Sequence, residues 1–164
     1  MKTLVLLMLP FVALPVFGQI QSRVFKATID ALNRETVPYV SCEELKRWPD
    51  AVLLDTRARA EFDVSHLPGA RWVGYDEFDL SRVQDLPKTA RLVVYCSVSY
   101  RSEKVGEKLL AAGFNNVHNL YGSLFEWVNQ GNPVVGPDGK ATNRVHAYDR
   151  FWGVWLRRGV KVYE

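Results

Sequence analysis

The chain has 164 residues, the length of one domain with a core of its own. Hydrophobic residues make up 48% and charged residues 24%, a globular balance that excludes a disordered chain. The formal charge is +3 with the basic residues scattered, which excludes a nucleic-acid-binding tail and leaves a modest attraction for small anions.

The first stretch reads as targeting rather than fold. Lys2 supplies one positive charge, and residues 3–17 are uncharged and apolar, with Pro10 and Pro15 among them. Val16, Phe17 and Gly18 follow as a cleavage region, which predicts a signal peptide over residues 1–18 and an exported, periplasmic or secreted protein. The apolar run falls short of the roughly 20 residues of a spanning helix, so no stable membrane span is expected. Export permits disulfides, and Cys42 and Cys96 make one pairing arithmetically possible. His66, His118 and His146 lie far apart and no closely spaced cysteine pair is present, so neither a metal nor another cofactor is expected.

Residues 19–36 form an N-terminal helical segment, in which Val24, Phe25, Ile29 and Leu32 recur at helical spacing over 22–32. The main domain is expected over 37–136. Residues 37–40 predict a short strand, with Pro38 marking an edge. Ser41 and Glu44 have the spacing of a capping box, opening a helix that runs to about Trp48, before Pro49. Residues 51–55 are an apolar run ending in Asp55, the pattern of a strand buried on both faces. A helix over 58–64, a turn at 67–70 and a short strand over 70–73 follow. Residues 91–95 form a second central strand that ends directly at Cys96. A helix over 102–112 closes at Gly113, a natural left-handed cap. A strand over 116–120 and a helix over 122–130 complete the domain. The alternation of strands and helices predicts an α/β fold whose mostly parallel sheet carries its site beyond the carboxyl ends of the strands. Residues 137–164 form a C-terminal extension packed on the domain. In it, Tyr148, Phe151, Trp152 and Trp155 recur like one face of a helix, and a final strand is expected over 161–163.

The chemistry concentrates in Cys96, Ser97, Val98, Ser99, Tyr100, Arg101 and Ser102. A buried strand delivers a cysteine to a tight loop, and a helix begins just after it. Such a loop turns backbone N–H groups inward as an anion nest, the helix N-terminus adds about half a positive charge, and Arg101 adds a full one. All three favour a thiolate nucleophile and would hold the next anion formed there. The residues alone also fit a small buried cysteine at a strand end.

Four motifs in order resemble the rhodanese family of sulfurtransferases, over residues 37–133. Leu54, Asp55, Thr56 and Arg57 resemble its strand-end Asp-x-Arg. Residues 61–70, from Glu61-Phe62 through His66 to Pro68-Gly69-Ala70, are similar to its Glu-Phe-x-x-x-His-(Ile/Leu)-Pro-Gly-Ala segment. Cys96 through Arg101-Ser102 resembles its active-site loop, and Gly113-Phe114 through Gly122-Ser123 and Trp127 its last segment. The resemblance implies a rhodanese-like three-layer α/β/α fold. It also implies a persulfide on Cys96, a loop of Ser97, Val98, Ser99, Tyr100, Arg101 and Ser102 that binds the anion, and support from Asp55 and Arg57. The expected partners are a small sulfur-containing anion as donor, a thiol as acceptor and, in a minor role, a partner protein. Two departures stand out. Ser99 replaces the usual glycine of the loop, at a cost of about 1 kcal/mol if the position needs positive φ. Ser123 replaces the second glycine of the last segment, at a helix start where serine caps well. Three functions compete: a sulfurtransferase, a low-turnover sensing or interaction module, and a small-anion phosphatase or arsenate reductase. The loop from Cys96 to Arg101 has six residues, the family's length for sulfur, one shorter than in the related phosphatases and arsenate reductases. Cys42 reads as a small packed residue, with a resolving or silencing thiol as the alternative.

Overall fold

The structure, a computed structural model, describes residues 22–163; the expected signal peptide lies outside them. Five parallel strands make the central sheet: β1 (Tyr39–Val40), β2 (Val52–Asp55), β3 (Arg71–Trp72), β4 (Leu92–Tyr95) and β5 (Val117–Leu120), in the order β1-β5-β4-β2-β3. The two most apolar runs, β2 and β4, lie side by side near the centre, with Asp55 in register with Tyr95. The strand containing Tyr39 and Val40 is an edge, as Pro38 requires: it lends its carbonyl to the Asn119 amide at 2.8 Å.

Alternation along β4 divides the core. Leu92 and Val94 point to one face, where they pack with α4 (Tyr100–Ala111) through Val105 and Leu109. Val93 and Tyr95 point to the other, which holds α1 (Arg23–Leu32), α2 (Cys42–Leu45) and α5 (Ser123–Asn129). Helices on both faces of a parallel sheet give the three-layer α/β/α arrangement, and explain why β4 is apolar at every position. A further helix, α3 (Arg59–Val64), leads from β2 to β3.

Local signals account for most boundaries. Ser22 caps α1 by accepting from the Phe25 amide. The Ser41–Glu44 capping box forms with both of its bonds, although regular helix stops at Leu45 rather than Trp48. Gly113 ends α4 with φ +90°. A 3₁₀ turn at Leu80–Val83 has no counterpart in the sequence reading.

The C-terminal extension departs most from expectation. Its aromatic residues form no amphipathic helix; Trp152–Trp155 is a single 3₁₀ turn, opened by the Asp149 carboxylate accepting from the Trp152 amide at 2.7 Å. Tyr148 before it is left-handed, with φ +65°, which prevents a helix from starting earlier. The extension instead pairs its first strand, β7 (Ala141–Thr142), antiparallel with β6 (Val134–Val135) at the end of the domain, and forms a parallel pair of its own, β8 (Arg144–His146) with β9 (Val160–Val162). Val145, Ala147 and Leu156 are fully buried, and Phe25 of α1 stacks on Trp155 with centroids 5.2 Å apart. The two ends of the described chain therefore meet on one face of the sheet.

Candidate active site

Cys96 is the first residue beyond β4 and is 1% exposed, yet it lines a pocket of about 470 Å³. Ser97, Val98 and Ser99 turn the chain, and α4 starts at Tyr100, two residues before the predicted Ser102. Among the described residues, no acceptor takes the N–H groups of Ser97, Val98, Ser99, Tyr100, Arg101 or Ser102; the Glu103 amide is the first to be satisfied, by Ser99 O at 3.2 Å. These orphan donors are gathered in the turn that follows the cysteine, the arrangement that holds an anion at a helix start. The Ser102 hydroxyl donates to Asn119 Oδ1 at 2.8 Å, and its oxygen lies 3.6 Å from Cys96 Sγ.

The two serines that replace glycine form one device. Ser99 is left-handed, with φ +77°, so the strain expected of a side chain there is present. Its hydroxyl offsets that strain: Oγ donates to Leu120 O at 2.9 Å and accepts from the Gly122 amide at 2.9 Å. Asn119 Nδ2 donates to Ser99 O at 2.9 Å, fixing the same residue from the backbone side. Ser123 is not the cap of α5; Gly122 holds that position, and Ser123 is itself left-handed, with φ +51°. Its hydroxyl accepts from the Cys96 amide at 3.1 Å and lies 3.3 Å from Ser99 Oγ. The pair ties the cysteine and its loop to the end of β5.

Arg101 does not reach freely into the pocket. It grips Glu61 with two bonds, 2.6 and 2.9 Å, and reaches Ser97 Oγ at 3.1 Å. Ser97 Oγ also lies 3.3 Å from Glu61. Burial opposes the charge of Glu61, but hydrogen bonding and attraction from Arg101 outweigh it and hold the carboxyl below its ordinary range. Burial likewise opposes the Arg101 charge; bonding to Glu61, with attraction from the Cys96 sulfur, raises it nonetheless.

Asp55 and Arg57 form a separate pair, both side chains fully buried, with Arg57 Nη2 2.6 Å from Asp55 Oδ2 and 2.7 Å from Ser65 O. Their carbonyls also tie β2 to the strand beside it: the Val73 amide donates to Asp55 O at 2.9 Å and Trp72 Nε1 to Arg57 O at 2.8 Å. Neither lines the pocket, and Glu61 pairs with Arg101. His66 stacks on Phe62 at 3.8 Å and its Nδ1 lies 3.0 Å from Phe62 O, a packing arrangement away from the cysteine. Cys42 is buried in the apolar core and unpaired, and burial pushes its thiol up to about 12, which suits a packed residue and not a resolving nucleophile.

The family model of the rhodanese-like domain matches residues 41–130, more than half of the chain. The chain belongs to the rhodanese-like domain family. Over 90 residues it is 31% identical to a sulfurtransferase of Allochromatium vinosum, covering 55% of this chain and 83% of that protein. It is 34% identical over 90 residues to the tRNA uridine(34) hydroxylase of Hamiltonella defensa, but spans 25% of that protein's length. Among solved structures, a thiosulfate sulfurtransferase from Pseudomonas aeruginosa superposes with a TM-score of 0.59 at 25% identity, covering 80% of this chain and 26% of that one. A rhodanese-like domain from Anabaena sp. gives 0.56 at 26% identity, covering 60% of this chain and 79% of that domain.

The rhodanese-like segment supplies the floor of the pocket: Cys96, Ser97, Val98, Tyr100 and Arg101, with Ala58, Glu61, Tyr75 and Asp76 beside them. The rim comes from outside it. Leu32 of α1 and Tyr148 and Trp152 of the extension line the same space, and the Arg101 guanidinium lies 5.0 Å from the Tyr148 ring. Sequence reasoning brought together Cys96 through Ser102 but missed Glu61 as the Arg101 partner, and missed the rim. Glu61 stood in a quoted motif, so a signal existed; the spacing of Tyr148 and Trp152 was a signal too, but one that pointed to a helical face rather than to a pocket rim.

Proposed function

We propose that the chain is a sulfurtransferase that carries sulfane sulfur as a persulfide on Cys96. The observation that carries this reading is the strand-end cysteine facing a pocket from within a turn of six N–H groups that have no acceptor among the described residues. The relatives named as sulfurtransferases support it.

After the Cys96 thiol has lost its proton to solvent, the thiolate attacks the outer sulfur of a donor such as thiosulfate. The Cys96 sulfur–sulfur bond forms, the donor's sulfur–sulfur bond breaks, and sulfite leaves with the electron pair. The negative outer sulfur of the persulfide is held by the amides of Ser97, Val98, Ser99, Tyr100, Arg101 and Ser102. A thiol acceptor, as its thiolate, then attacks that outer sulfur and frees Cys96, completing a double displacement. Glu61 fixes Arg101 against Ser97, so its positive charge borders the site without leaving it. Asp55 and Arg57 act through the fold, bracing the strand end on which the loop rests. The signal-like residues 1–18 support export, with transfer taking place in the periplasm or outside the cell.

The test is turnover of a sulfane-sulfur donor, thiosulfate or methanethiosulfonate, to thiocyanate with cyanide as acceptor. Wild type turns over and Cys96→Ser falls to the uncatalysed rate. Equal turnover by Cys96→Ser overturns the proposal.

A further inference from the structure

We infer that the sulfur compound this pocket is built for is organic, with an apolar body about the size of one aromatic ring, and that Trp152 and Tyr148 are its specificity-determining residues. The inference rests on the sulfurtransferase reading and sharpens its substrate class.

Three observations carry it. The first is size. A volume of about 470 Å³ falls in the range of sites for small organic molecules, whereas an inorganic oxyanion takes only a few times the roughly 30 Å³ of a water molecule. The second is charge. The lining holds two carboxylates, Glu61 and Asp76, against the single cation Arg101, whose two terminal nitrogens are both bonded to Glu61 and one of them also to Ser97. With Glu61 paired to Arg101, a dianion gains the loop amides but finds no unpaired cation among the described residues of the lining and the exposed Asp76 at its edge, whereas a neutral or singly charged compound places its sulfur at the amides and its body elsewhere. The third is the origin of the rim. Leu32, Tyr148 and Trp152 lie outside residues 41–130, yet all three face the space above Cys96. They are held there by structure: Phe25 stacks on Trp155, the Tyr148 amide donates to His146 Nδ1 at 3.1 Å, and Tyr148 lies against Arg101. An apolar rim fixed over a polar floor suits a molecule with a sulfur head and an apolar body.

An organic thiosulfonate shows the step in balance. Cys96 thiolate attacks the outer sulfur of R–SO₂–S⁻, the bond to the sulfonyl sulfur breaks, and R–SO₂⁻ leaves with the electron pair while the persulfide anion stays.

The experiment compares benzenethiosulfonate with methanethiosulfonate, which share the reacting group and differ in the body. The expected kcat/KM is roughly tenfold or more in favour of the benzene compound, the scale of an apolar group entering a fitted pocket. Trp152→Ala collapses that ratio, whereas Trp152→Phe restores most of it, with thermal melts confirming that each variant is folded. Equal kcat/KM for the two donors on wild type, or a ratio unmoved in folded Trp152→Ala, overturns the inference. The wild-type comparison decides alone if Trp152→Ala does not fold. Absence of persulfide from both donors and from thiosulfate instead overturns the sulfurtransferase reading itself.

Discussion

The floor and the rim of the pocket are held by different forces. On the floor, Cys96 and its loop are fixed by hydrogen bonds: Ser99 to Leu120 and Gly122, Ser123 to the Cys96 amide, and Arg101 to Glu61. On the rim, apolar packing of α1 and the extension does most of the placing, through Phe25 on Trp155 and the buried Val145, Ala147 and Leu156, and backbone bonds to His146 and Asp149 set only the turn that carries Tyr148 and Trp152. Directional bonds fix the backbone that carries the sulfur, as a nucleophile needs. Packing tolerates exchange of one apolar residue for another, as a selectivity wall needs. The difference teaches where change is cheap: the rim can be altered without disturbing the nucleophile, whereas the floor cannot be altered without disturbing the sheet.

That contrast can be broken in four places. The largest effect is expected beneath the floor. Asp55→Ala leaves the fully buried Arg57 without its carboxylate and should cost about 3–5 kcal/mol in urea unfolding. A loss under 1 kcal/mol would show that the pair does not brace the strand end. Next comes the rim: Phe25→Ala removes a buried ring from the Trp155 stack and should cost about 3 kcal/mol, with a red shift of tryptophan fluorescence as the extension loosens. Third, Ser99→Ala leaves the Gly122 amide unsatisfied while keeping the left-handed strain, so a loss of about 2 kcal/mol is expected. Ser99→Gly loses the same bonds but relieves about 1 kcal/mol of strain, and should be the milder change. A glycine variant worse than the alanine one contradicts this reading of Ser99.

The smallest effect is a pH dependence. The folded carboxyl of Glu61 is held below its ordinary value of 4.5, because bonding to Arg101 outweighs the burial that opposes its charge. A depressed value means the stabilisation is complete above 4.5 and is lost as the pH falls through the folded value. Denaturant melts across the acid range should therefore be steeper for wild type than for Glu61→Gln, and parallel curves would show that the pair contributes nothing there.

Most of the floor was legible in the sequence because each part leaves a local mark. The apolar runs of β2 and β4 require a strand covered on both faces, and the residue after such a strand is a site candidate whatever its type. The Ser41–Glu44 cap and the left-handed Gly113 followed from chain-local chemistry in the same way. Ser123 was misread as a cap because nothing local reveals that its hydroxyl serves the Cys96 amide 27 residues away. The extension was misread for a related reason. Aromatic spacing of three and four arises in a helix but also in a single turn between two paired strands, and the pairing of β8 with β9 is tertiary. The Glu61–Arg101 bond joins residues 40 apart, so only the fold brings them together.

Intact-mass spectrometry of the purified chain after exposure to a sulfane-sulfur donor is the most direct measure of whether Cys96 carries sulfur. Wild type should gain the mass of one sulfur atom, located to the peptide containing Cys96 and removed by reductant, while Cys96→Ser gains none and Cys42→Ser gains as much as wild type. No gain on wild type from thiosulfate or from either thiosulfonate, or a gain located on Cys42, would contradict the persulfide reading.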